Sequence, residues 1–146
     1  MISCDTNILF PACDRDSPQH RPAREFLEAH ARRADFCLCE QALMELYCLL
    51  RNPAVSNPAL SAADAVAMVR GFRSNPRWRV VDFVPGRGIM ERVWSHAAGR
   101  SFAFRRIFDA RLACVLRHHG VTEFATRNAA DFGGFGFARI WDPLAG

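Results

Sequence analysis

The sequence predicts a single α/β domain over residues 1–146, with a mostly parallel central sheet flanked by helices. Three observations lead there. Short apolar runs at Ile2–Cys4, Phe36–Cys39, Trp78–Val84, Val121–Ala125 and Ala138–Trp141 alternate with segments whose apolar residues recur at helical spacing. The first apolar run ends on a carboxylate, Asp5, and a helix-like segment opens at Asn7 just after it. No repeat, low-complexity tract or linker interrupts the pattern.

Along the chain, Met1–Cys4 is a strand ending on Asp5, and Asn7 opens an apolar segment in which Ile8–Cys13 reads as a short helix interrupted by Pro11. A second helix runs from Ser17-Pro18 to about Arg33, with Ala23, Phe26, Leu27 and Ala31 on one side. Phe36–Cys39 is the second strand. Glu40–Arg51 is apolar almost all round, the mark of a buried helix, and Glu45 stands in its middle. Asn52-Pro53 stops it. Ser61, with Asp64 three residues on, caps another helix that runs to about Ser74, with Ala65, Val66, Met68, Val69 and Phe72 inward.

Trp78–Val84 has the content of a third strand, where Asp82 is a strand-end residue. Ile89–Ala98 is helical. Arg100–Arg106 is a basic loop with interleaved aromatics, suited either to nucleic acid or to plain solvation around two core phenylalanines. Ile107 opens a helix to His119, with Asp109 in its first turn. Val121–Ala125 is the fourth strand, Thr126–Phe132 emerges from its carboxyl end, and Ala138–Trp141 is the last.

Composition narrows the function. All 19 basic residues are Arg, which against 15 acids leaves a formal charge of +4, compatible with a nucleic-acid partner. No apolar run approaches the ~20 residues that span a bilayer, and the start lacks the features of a signal peptide, so the chain reads as cytosolic. The six cysteines form no CxxC pair and the five histidines no HExxH, which leaves them as structural residues. No P-loop motif is present.

The acids are what remain. Asp5, Glu45, Asp109 and Asp131 lie in largely apolar surroundings, where an unpaired charge is costly. Taken singly, Asp5 and Asp109 could be helix caps and Glu45 could be paired with an arginine. As a set they come from a strand end, a helix, a helix start and a strand-end loop, elements that converge at the carboxyl ends of a parallel sheet. An all-oxygen cluster selects Mg²⁺, with Mn²⁺ tolerated, and that combination serves phosphoryl chemistry.

Asp5-Thr6-Asn7, Glu45 within its helix, Phe108–Ala113 around Asp109, and Thr126-Arg127-Asn128-Ala129-Ala130-Asp131-Phe132 occur in an order and spacing that resembles a PIN-domain ribonuclease, and more closely VapC, the toxin of type II toxin–antitoxin modules. The resemblance covers essentially the whole chain. It implies Mg²⁺-dependent cleavage of single-stranded regions of tRNA, rRNA or mRNA, a homodimer, and inhibition by a VapB-type antitoxin. Carried over by position, it makes Asp5, Glu45 and Asp109 the metal-binding acids and Asp131 the fourth, with Asn128 as a supporting or substrate contact. Thr6, Asn7 and Thr126 would support the acids through hydrogen bonds, and Arg105, Arg106 and Arg111 would contact the RNA backbone. An activated water would attack the phosphodiester in line while a carboxylate takes its proton. Two rivals stand beside this reading: a PIN fold that binds RNA or a partner without cutting, favoured by Asn128 where some members carry Asp, and a metal-dependent phosphatase or DNA nuclease.

Overall fold

The computed structural model describes all 146 residues. Its chain order is β1 (Ile2–Cys4), α1 (Thr6–Cys13), α2 (His20–His30), β2 (Phe36–Cys39), α3 (Glu40–Arg51), α4 (Ala62–Arg73), β3 (Arg79–Val81), α5 (Arg87–Ala97), α6 (Ile107–His118), β4 (Glu123–Ala125) and β5 (Arg139–Trp141). Short 3₁₀ turns at Phe104–Arg106 and Ala129–Phe132 precede α6 and follow β4. No helix is long and apolar enough to cross a membrane.

All five strands pair in parallel, in the order β3-β2-β1-β4-β5. The chain winds outward from β1 to β3, then returns to the other side of β1 for β4 and β5. β1 and β4 therefore flank the point where winding reverses, which is where open parallel sheets leave a crevice at the strands' carboxyl ends. Asp5 follows β1 there and Thr126 follows β4, tied by the Asp5 N–H donating to the Ala125 carbonyl (2.9 Å).

The two-residue period of a strand sorts its side chains between two cores. Phe36 and Leu38 face a cluster with Ile8, Leu9, Phe26, Leu27, Leu43 and Leu46, from the α1–α4 side. Cys37 and Cys39 face the other, with Val93, Leu112, Leu116, Phe124 and Phe132, under α5 and α6. All six cysteines are free thiols, and Cys4, Cys37, Cys39 and Cys114 are buried among apolar neighbours.

Several sequence expectations need correction. Pro11 does not interrupt α1, which starts two residues earlier than expected and runs through it. The ring removes one amide bond, but α1 ends within a turn, so little ladder is lost. The second helix is confined to His20–His30 and the third strand to Arg79–Val81. The helix α3 buries one stripe, Ala42, Leu43, Leu46 and Leu50, whereas Met44 is 68% exposed and Glu45 only half-buried. In α4 only Ala65 is buried; Val66 and Met68 face outward. Apolar composition alone does not say which face of a helix the sheet covers, because α3 and α4 lie at the margin of the core.

Candidate active site

Asp5 is the N-cap of α1: its extended backbone ends β1, and its Oδ1 accepts from the Thr6 N–H at 2.7 Å. Its Oδ2 accepts from the Thr126 hydroxyl at 2.8 Å. The capping alternative is thus realised together with the cleft position. One carboxylate closes the helix start while the side chain, 8% exposed, lines the crevice.

The Thr6 hydroxyl shares its one proton between the Ala42 carbonyl (2.8 Å) and, more weakly, Glu45 Oε2 (3.2 Å), which ties α3 to α1. Asn7 donates through Nδ2 to Thr126 Oγ1 (3.2 Å), and its Oδ1 accepts from the Arg127 N–H (3.1 Å). Thr126 Oγ1 also accepts from the Asn128 N–H at 3.1 Å. Asn7 and Thr126 thus hold the loop after β4 onto the start of α1.

A cleft of about 680 Å³ opens above these groups, and Asp5, Thr6, Asn7, Glu45, Asp109 and Asn128 all line it. Asp109 projects from the first turn of α6, whose N-cap is Arg106, so Asp109 is not itself the cap. Glu45 has no arginine partner. None of the protein's ion pairs involves Asp5, Glu45 or Asp109.

Unpaired acids brought together repel one another. Burial pushes the Asp5 carboxyl up to about 6; hydrogen bonds from Thr126 and Thr6 pull it down, and the Glu45 and Asp109 charges push it up again. Asp109 is raised by burial, then by Glu45 and Asp131, with Arg106 opposing. Replacing Thr126 with Val keeps the shape but removes the hydroxyl that stabilises ionised Asp5. We expect the Asp5 carboxyl of Thr126→Val to titrate above pH 6, checked by carboxyl ¹³C NMR in metal-free buffer, at a stability cost of roughly 1–3 kcal/mol.

The remaining expected site residues fall elsewhere. Asp131 is not among the cleft's lining residues; it lies in the 3₁₀ turn after β4, close enough to Asp109 to raise its pKa. Arg106 turns inward, donating through Nη2 to the Asp131 carbonyl, and its Nε is buried without a partner. Arg111 donates to Gln41 Oε1 (2.9 Å) and stacks on Phe83 at 4.9 Å. Both are therefore engaged within the fold, while Arg105 is exposed with its guanidinium 5.5 Å from the Phe104 ring centroid.

Sequence reasoning missed Gln41, Arg127 and Phe108, all on the cleft lining. Gln41 Nε2 donates to the Phe108 carbonyl at 2.9 Å and to Glu45 Oε1 at 3.4 Å, bracing α6 against α3. Its position four residues before Glu45 on one helix was the available signal.

The donor set fits a hard divalent cation: one buried and two half-buried carboxylates that repel one another and form no ion pair, with amide oxygens on Asn7 and Asn128 beside them. No three acidic, histidine or cysteine side chains converge on a single point. An ion held here would therefore take one or two of the carboxylates directly and reach the others through its waters, as Mg²⁺ can.

This fold, with carboxylates gathered at its switch point, has a recognisable relation: the chain belongs to the PIN-domain family, whose model matches residues 2–133. It is 51% identical over 144 residues to Ribonuclease VapC24 of Mycobacterium tuberculosis strain H37Rv, a match covering 99% of this chain and 97% of that protein, which places it among the VapC proteins. Solved structures agree on the fold. Mycobacterium tuberculosis VapC20, described as a Sarcin-Ricin loop cleaving toxin, superposes with a TM-score of 0.69 at 18% identity, covering 94% of this chain and 96% of that one. DNA-bound VapBC from Salmonella typhimurium gives 0.64 at 20%, covering 97% of each chain.

Proposed function

We propose that this protein is a metal-dependent endoribonuclease, the toxin of a VapBC-type pair, and that it hydrolyses phosphodiester bonds in single-stranded regions of RNA. The observation that carries the reading is that Asp5, Glu45 and Asp109, from three separate elements, line one cleft and none of them is held in an ion pair. The 51% identity to a protein named a ribonuclease supports the substrate class.

Asp5, Glu45 and Asp109 would hold Mg²⁺, or Mn²⁺, with Asn128 as a further oxygen donor. When bound, the ion would polarise the scissile phosphate and lower the pKa of nearby water. The protein's own part is positional. Thr126 and the Thr6 N–H aim the Asp5 carboxylate. Thr6 and Gln41 orient Glu45. A carboxylate not engaged by the ion accepts the proton of the attacking water as its oxygen bonds to phosphorus and the P–O bond on the far side breaks. Asp131 acts through the charge of Asp109, and Arg127 on the cleft lining, with the exposed Arg105 just before α6, attracts the RNA backbone. Inhibition by a small VapB-type antitoxin, a homodimer and cytosolic action belong to the same reading.

The test is cleavage of total cellular RNA by purified protein. We expect discrete cuts in Mg²⁺, loss of cutting in EDTA, and recovery on adding Mg²⁺ or Mn²⁺. Cutting that persists unchanged in EDTA would refute the metal-dependent reading. A pure binding module would shift RNA mobility without cutting, and a phosphatase would release phosphate from RNA ends only.

A further inference from the structure

Helix α6 begins with an arrangement that burial does not explain. Phe102 and Ile107 pack against the core under α5 and α6, but Phe104 and Phe108 belong to neither core cluster and are 79% and 67% exposed. Phe108 lines the same cleft as Asp5, Glu45 and Asp109, and it immediately precedes Asp109 in sequence. Its backbone is held by the Gln41 side chain on its carbonyl oxygen, so the ring is presented from a braced position rather than a loose loop. Two exposed arginines belong to this neighbourhood: Arg127 on the cleft lining, 4.0 Å from Asp142, and Arg105, three residues before Phe108 in the chain and against the Phe104 ring.

A flat, wet aromatic face beside a phosphate-handling cleft, flanked by guanidinium groups, matches the chemistry of an unpaired nucleotide. The base stacks on the ring while the backbone takes the charge. A paired base has both faces covered by its neighbours and cannot use such a platform. A protein partner would bury a ring like this too, but it has no need of arginines arranged around a cluster of acids.

We propose that Phe108 is a stacking platform for the unpaired base adjoining the scissile phosphate, with Phe104 and Arg105 receiving the next nucleotide outward. The inference rests on the ribonuclease reading and adds the feature of the substrate that the cleft selects: a base free to leave its stack. It makes Phe108 a specificity residue, distinct from the acids.

The test couples the protein ring to the RNA base. A single-stranded oligoribonucleotide with one mapped cut is compared with versions carrying an abasic ribose at each position near the cut. For wild type, kcat/KM should fall on the order of tenfold when the abasic site takes the stacked position, and little when it lies farther away. Phe108→Ala should lose about as much on the intact oligonucleotide and then be indifferent to the abasic site, while Phe108→Trp should restore the dependence. Equilibrium binding of the same oligonucleotides in EDTA, read by fluorescence anisotropy, should show the same coupling without any cleavage.

Equal losses for Phe108→Ala on intact and abasic RNA, or no loss at all, would overturn the stacking role and leave the ring to another partner. Coupled binding without cleavage by wild type under any metal would keep the stacking role and remove the nuclease. Cleavage without coupling would do the reverse.

Discussion

Asp5→Asn should lower RNA cleavage in Mg²⁺ by roughly 10²–10⁴-fold, as expected for loss of a group that holds or moves charge at the reacting centre. The side chain keeps its size, so the Thr6 cap survives through the amide oxygen. What disappears is the negative charge at the switch point. Wild-type rates for this variant would end the carboxylate mechanism.

The same substitution should act in the opposite sense on stability. The Asp5 carboxyl titrates at about 6 in the folded protein against an ordinary 3.8, chiefly because it is buried. The native state therefore keeps a proton that the unfolded chain has already released, and native stability falls as pH rises from 3.8 to about 6. Asparagine cannot ionise and escapes this decline. In metal-free buffer above pH 6, Asp5→Asn should escape a penalty of roughly 3 kcal/mol but lose the Thr126 hydroxyl bond that Oδ2 accepts, worth roughly 1–2 kcal/mol, which leaves it more stable than wild type by roughly 1–2 kcal/mol, a few degrees in Tm. The gap should close as pH falls below 3.8. Thermal melts across pH with and without Mg²⁺ check it, and a variant no more stable than wild type at pH 8 would contradict the strain ascribed to the acids. Such a trade, function held at the expense of stability, is common where like charges are gathered for chemistry.

The second large effect belongs to the core. Phe124 is fully buried in β4, with ring centroids 4.8 Å from Phe132 and 5.3 Å from Phe137. Phe124→Ala should cost roughly 3–5 kcal/mol, on the order of 10 °C in Tm. Phe124→Leu should cost much less, since it refills most of the space. Phe132 closes the turn that follows Asn128, and its Asp131 amide donates to the Asn128 carbonyl at 2.9 Å. Loss of Phe124 should therefore also loosen Asn128 and Thr126. Amide hydrogen exchange should quicken over residues 126–132 in Phe124→Ala before it quickens in α1.

What the sequence determined by itself was the scaffold and the acids at its strand ends. Alternating apolar runs and helical periods set five parallel strands and their crossovers, and the polar residues that terminate β1 and β4 had to emerge where such a sheet opens. Asp5 was legible because a carboxylate ending an apolar strand has few other places to go. The stretches around Asp109 and Thr126 were legible through their order and spacing, which resemble those of a PIN domain, rather than through either residue taken singly.

What only the tertiary structure decided was facing. Sequence could not tell that Asp131 and Arg106 stay off the cleft lining, with Arg106 bonded to the Asp131 carbonyl, since a 3₁₀ turn aims each side chain by rotations that a string of residue types does not encode. Nor could it tell that Met44 and Phe108 are left in water while Phe102 is covered, because burial depends on which neighbour arrives from elsewhere in the chain. Gln41 was legible only in part: its spacing from Glu45 on one helix shows in the sequence, but its other partners, Phe108 and Arg111, lie on another helix and meet it only when both helices have packed on the sheet.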